Sequence, residues 1–67
     1  MKPLTFRRAS LAELREGLGL TQAEMARRLG VSKQAVSQWE TGAWTPSVGN
    51  LLKIVNQTGA PLMRFFA

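Results

Sequence analysis

The segment TQAEMARRLGVSKQAVSQWETG, residues 21–42, decides the fold. It reads as two short helices joined by a tight turn containing glycine, a helix-turn-helix. Thr21 and Glu24 stand at capping-box spacing, a hydroxyl for the orphan amides of a helix start and a glutamate able to reach back. Met25, Ala26 and Leu29 mark the inner face, and Gly30 stops the helix. Val31 bridges to Ser32, a good N-cap, and a second helix runs to about Thr41 before Gly42. The spacing is more specific than a generic helical hairpin. Gln22 opens the first helix, the small Ala26 lets the second cross closely, and Gly30 occupies the turn. Val36 and Trp39, three apart, anchor the second helix inward.

On a wheel of about 100° per residue, Ala35, Val36 and Trp39 fall on one side of that second helix. Lys33, Gln34, Ser37, Gln38 and Thr41 fill an opposite arc of about 140° that holds no apolar residue and no acid. Reading base edges requires such a row of hydrogen-bonding groups. Glutamine can bond adenine in bidentate fashion, and lysine can donate to guanine O6 and N7. A polar face also serves mere solubility, so it counts only together with the Thr-Gln opening, the Ala, Gly and Val spacing and the inward Trp39. Glu40 falls at the margin of this face, toward the helix that precedes the motif.

Before the motif, a first helix is expected from Ser10, with Ser10 and Glu13 as a capping box and Leu11, Leu14 and Leu18 on one face. Gly17 and Gly19 close it. Beyond the motif, Pro46 and Ser47 start a fourth helix with the apolar set Val48, Leu51, Leu52, Ile54 and Val55, ending near Gly59. A fifth, short helix starts at Pro61. No segment alternates with period two, so the expectation is an all-α, compact five-helix domain over residues 10–67, preceded by a basic N-terminal arm, residues 1–9.

Charge narrows the partners. Nine Lys/Arg against four Glu, with no aspartate, give a net charge of +5 in 67 residues. Such a balance attracts polyanions. Cysteine and histidine are absent, which removes thiolate metal sites and the commonest general base. Glu13, Glu16 and Glu24 lie on solvent-side positions, so neither an enzyme, a cofactor, a metal nor a small-molecule substrate is expected. No apolar run approaches the ~20 residues of a membrane span, and no apolar stretch of a secretory signal follows the first basic residues. The cytoplasm is the expected location.

Taken together, residues 18–26, 29–32, 36–42 and Pro46-Ser47 closely resemble the Cro/lambda-repressor-like group of regulators, the XRE family. The resemblance covers about residues 9–66. It implies a lambda-repressor-like, homodimeric, double-stranded-DNA-binding regulator whose third helix enters the major groove. Positions matching Lys33, Gln34, Ser37 and Gln38 would face bases, and the one matching Gln22 would contact phosphate. Thr21, Ser32, Thr41 and Trp44, at helix starts and in the loop after the third helix, complete the expected phosphate set. The family commonly pairs residues matching Arg15 and Glu40; the alternative is two solvated charges.

Three positions depart from the family. Trp39 stands where a smaller aliphatic is usual, Gly49 falls in the first turn of the fourth helix, and Trp44 lies in the loop, either covering the core or meeting a sugar-phosphate. Some of Leu62, Met63, Phe65 and Phe66 must close the core, but two adjacent phenylalanines cannot both face inward on one helix, so the surplus points to a homodimer interface through this end. Whether Lys2, Arg7 and Arg8 meet DNA is left open. A near-palindromic operator and repression are the expected mode. The rivals are an antitoxin that represses its own operon and binds a toxin protein, and a membrane-active basic helix. The second would need one helix with continuous cationic and broad apolar faces, and none has them.

Overall fold

The computed structural model describes residues 3–67. It contains α1 (Arg8–Gly17), α2 (Gln22–Leu29), α3 (Lys33–Thr41) and α4 (Val48–Thr58), then a single 3-10 turn, Leu62–Phe65. The fifth α-helix is therefore not formed; the 3-10 turn stands in its place after four α-helices. A tighter turn suits a chain that must double back after Pro61, because Phe66 and Ala67 run antiparallel to the start of the chain. No strand occurs among the described residues; the pairing there is one isolated bridge.

That bridge moves the start of α1. The Thr5 amide donates to the Ala67 carbonyl, and the Ala67 amide to the Thr5 carbonyl, both at 2.9 Å. The Arg7 amide donates to the Phe65 carbonyl at 2.7 Å, and the Phe6 and Phe66 rings meet edge to face at 6.2 Å. With the chain fixed at Arg7, the helix begins two residues before Ser10. Ser10 is consequently inside the helix and fully buried, its hydroxyl donating to the Arg7 carbonyl, and the Ser10–Glu13 capping box does not form. From Thr5 onward the supposed arm is built into the domain. Lys2 lies outside the described residues.

The core gathers Leu11 and Leu14 from α1, Met25, Ala26 and Leu29 from α2, Val36 and Trp39 from α3, Leu51 and Ile54 from α4, with Ala60 and Phe65 closing it. α3 packs against both α1 and α2, α2 against α4, and the C-terminal turn against α1 and α4. Three apolar residues leave the faces expected for them. Leu18 lies just past the end of α1 and is exposed, because the helix stops at Gly17. Val48 and Leu52 point out to solvent, since α4 turns the Leu51–Ile54 stripe inward. At the turn of the motif Gly30 has φ +70°, a conformation that costs a side-chain-bearing residue and lets the chain reverse between α2 and α3.

Candidate nucleic-acid interface

The outward side of α3 is built as its sequence dictates. Val36 and Trp39 are buried, which holds Lys33 and Gln34 fully outward and leaves Ser37 and Gln38 half-exposed. Lys33 is the one charge among these four, and no carboxylate lies with them. Ser32 caps α3, its hydroxyl accepting from the Ala35 amide at 3.0 Å. Thr41, exposed at the other end, donates its hydroxyl to the Gln38 carbonyl at 3.2 Å.

Beside this face stands the start of α2. The Thr21 hydroxyl accepts from the Glu24 amide at 3.1 Å, and the Glu24 carboxylate accepts from the Thr21 amide at 2.9 Å. Those bonds from the Thr21 backbone and hydroxyl hold the Glu24 carboxyl below its ordinary range. The first turn of α2 then presents Gln22 and free amides at the positive end of a helix dipole, where an anion is favoured.

α1, α2 and α3 meet in one polar junction. Arg15 Nε donates to Glu40 Oε2 at 2.8 Å and Arg15 Nη2 to Glu40 Oε1 at 3.0 Å. Both side chains are largely covered, 14% and 8% exposed, which makes this a partly buried two-pronged pair rather than two solvated charges. Arg15 Nη1 also donates to the Leu20 carbonyl at 2.8 Å, tying the α1–α2 loop down. Bonding to Glu40 raises the Arg15 pKa above its already high ordinary value. Gln22 Nε2 donates to Glu40 Oε1 at 3.2 Å. The carboxamide at the start of α2 is thus aimed by a carboxylate near the end of α3.

Trp44 is 65% exposed, so it does not cover the core; Trp39 is buried in it instead. Its backbone amide donates to the Gln38 carbonyl at 3.3 Å, folding the loop back on α3. Phe65 is fully buried among α1 and α4, so it has no surface to offer a partner and drops out of the expected interface. Phe66 is partly covered by Phe6, leaving Leu62 and Met63, 41% and 58% exposed, as the apolar surface of that turn. Adjacent phenylalanines can both be covered because the chain leaves the 3-10 turn between them, which a continuous helix would forbid. Arg8, whose part the sequence left open, has its guanidinium against the end of α3. Its signal was faint: a basic residue at the start of one helix, with none in the last turn of another.

A bare polar helix face, flanked by an anion-favouring helix start and held by a partly buried ion pair, defines a helix-turn-helix domain of the Cro/lambda-repressor type. The helix-turn-helix family HTH_3 matches residues 11–65, and the chain belongs to it. It is similar to the HTH-type transcriptional activator BcrR of Enterococcus faecalis, 44% identical over 41 residues, 61% of this chain and 20% of that protein. An uncharacterized HTH-type transcriptional regulator of Methanothermobacter thermautotrophicus is 44% identical over 41 residues, 61% of this chain and 59% of the relative. The chain therefore spans less than two thirds of the length of either relative. Among solved structures, the P22 c2 repressor in complex with synthetic operator 9T superposes with a TM-score of 0.82 at 26% identity, covering 91% of this chain and 92% of that one. No helix among the described residues is long and apolar enough to cross a membrane.

Proposed function

We propose that the protein is a sequence-specific, double-stranded-DNA-binding repressor that acts in the cytoplasm as a homodimer on a near-palindromic operator. The observation that carries the reading is the outward side of α3, where Lys33, Gln34, Ser37 and Gln38 form an acid-free row of donors and acceptors. With α3 in the major groove, these four side chains reach base edges. Gln22, Thr21 and Ser32 meet phosphates on one flank, and Thr41 and Trp44 meet them on the other. The net charge of +5 adds the sequence-independent attraction. Similarity to a repressor solved on its operator supports the same docking here.

Leu62 and Met63, exposed on the C-terminal turn, are the apolar surface through which two copies pair, with Phe66 at its margin. Two copies would set their α3 helices roughly 34 Å apart, one turn of B-DNA, and so read a two-fold site. Where such a site overlaps a promoter, occupancy by itself blocks transcription.

Selection of bound duplexes from a random pool, followed by light scattering of the free and bound protein, tests this reading. The expected result is an enriched near-palindrome and a dimer on it. A pool that enriches no sequence, or a complex that stays at one copy per duplex, overturns it.

A further inference from the structure

Arg8 sits at the start of α1, but its side chain serves the far end of α3. Nη1 donates to the Thr41 carbonyl at 3.1 Å. The aliphatic part lies over Gly42, where a Cβ would stand 2.8 Å from Arg8 Cδ. Gly42 itself has φ +84°, so a side chain there would be both strained and obstructed. Its neighbour Arg7 is engaged elsewhere, with Nη1 donating to the Arg64 carbonyl at 3.4 Å and Nη2 3.9 Å from the Glu13 carboxylate.

The electrostatics of this end give the contact its meaning. The last carbonyls of a helix carry a partial negative charge. α3 has no basic residue in its own last turn to offset it. Thr41 and Trp44 are the residues proposed to lie along a phosphate strand, and a negative helix end beside phosphate is repulsive. A guanidinium at the Thr41 carbonyl reverses the sign of the field there. It carries five N–H donors, of which this bond uses one, and Arg8 is exposed, so the others are open to a second acceptor.

We propose that Arg8 is a phosphate-binding residue that also fastens the recognition helix, donating to the Thr41 carbonyl while turning its remaining donors to the DNA backbone beside the Trp44 loop. The inference rests on α3 being the DNA reader. It joins α1 to the interface beside the end of α3. Because phosphate carries no sequence, Arg8 contributes affinity to every duplex alike.

The test compares the wild-type protein, Arg8→Gln, Arg8→Lys and a synthetic chain with citrulline at position 8, which keeps the N–H donor to Thr41 and loses the charge. Each is titrated with the selected duplex and with a random duplex over a range of salt, and each is melted without DNA. Expected for Arg8→Gln is a loss of about three- to tenfold on both duplexes at low salt. The slope of log affinity against log salt should flatten by about 0.9 per protomer. Arg8→Lys should keep the wild-type slope. The citrulline chain should melt close to wild type yet show the flattened slope, which separates charge from folding. Citrulline or Gln variants with the wild-type slope, or a loss confined to the selected duplex, overturn the proposal. A wild-type protein that binds neither duplex overturns the reading of α3 as well. Sequence-selective wild-type binding with an unchanged citrulline slope removes Arg8 alone.

Discussion

Glu40 receives Arg15 in two parallel hydrogen bonds of 2.8 and 3.0 Å, one from each of two guanidinium nitrogens, so the end of the recognition helix is clamped to α1. The same carboxylate accepts from Gln22, which makes it the point through which α1, α2 and α3 hold one another. Removing Arg15 leaves the Glu40 carboxylate largely covered and bonded to Gln22 without its cation. Removing Glu40 leaves Arg15 largely covered, with the Leu20 carbonyl and, at 3.7 Å, the exposed Glu16 carboxylate. Glu40→Ala and Arg15→Ala should each cost about 3 kcal/mol of stability. Thermal or urea melts check this, and a double variant should cost clearly less than the sum of the two.

Trp39 fills the space between α3 and the rest of the core. Truncation to alanine should cost about 3–5 kcal/mol, which rivals the whole stability of a domain this small. Trp39→Ala is expected to lack a cooperative melt by circular dichroism, while Trp39→Phe keeps one at a lower temperature. A wild-type melting curve for Trp39→Ala would mean that α3 is rotated from the orientation described.

Gln22 and the α3 side chains should fail differently. Gln34→Ala and Gln38→Ala should each lose about 1–3 kcal/mol on the preferred duplex and far less on a random one. Gln22→Ala should weaken both duplexes by one factor, since phosphate contacts position the protein without reading bases. Fluorescence anisotropy at one fixed salt concentration checks both. An unchanged preference after Gln34→Ala and Gln38→Ala would remove α3 as the reader.

Gly49 offers a gain. It lies in the first turn of α4, its φ is not positive, and a Cβ there would meet only the Ser47 hydroxyl at an ordinary 3.9 Å. Gly49→Ala should therefore stabilise the domain by about 0.5–1 kcal/mol, read as a rise in melting temperature. No rise would mean that the extra methyl displaces the Ser47 cap.

Acid should loosen the start of α2. Glu24 has its carboxyl lowered by bonds to Thr21, so its contribution is present above the ordinary value of 4.5 and is lost as pH falls through the lower folded value. Between neutral pH and about 4.5 stability should not change on its account. Glu24→Gln, which cannot ionise, should show a shallower loss below pH 4.5 in acid melts.

The motif was legible because its signals are local. Thr21 and Ser32 fix helix starts through their hydroxyls, Gly30 and Gly42 fix helix ends through their left-handed backbones, and α2 and α3 begin and end where those residues predict. Val36 and Trp39 likewise declare the inner face through spacing alone. Helix one was misjudged at its start because Arg7 is held by Phe65, a partner almost a whole chain length away that no local pattern reports. The same long-range pairing brought Phe65 inward and shortened the surplus apolar end. The part of Arg8 stayed open for a similar reason: its acceptor lies on another helix and is a backbone carbonyl, which leaves no mark in side-chain spacing.

The pairing of Thr5 with Ala67 also sets an order of events. Its two bonds join residues near opposite ends of the chain, so ring closure costs the most entropy for the fewest contacts. Helix-to-helix packing among α1, α2 and α3 is far more local and assembles without it. The bridge should accordingly be the last part to lock and the first to release. Amide hydrogen exchange at Thr5 and Ala67 would run ahead of exchange at Val36 and Ile54, and the clasp would open many times for each unfolding of the helices beneath it.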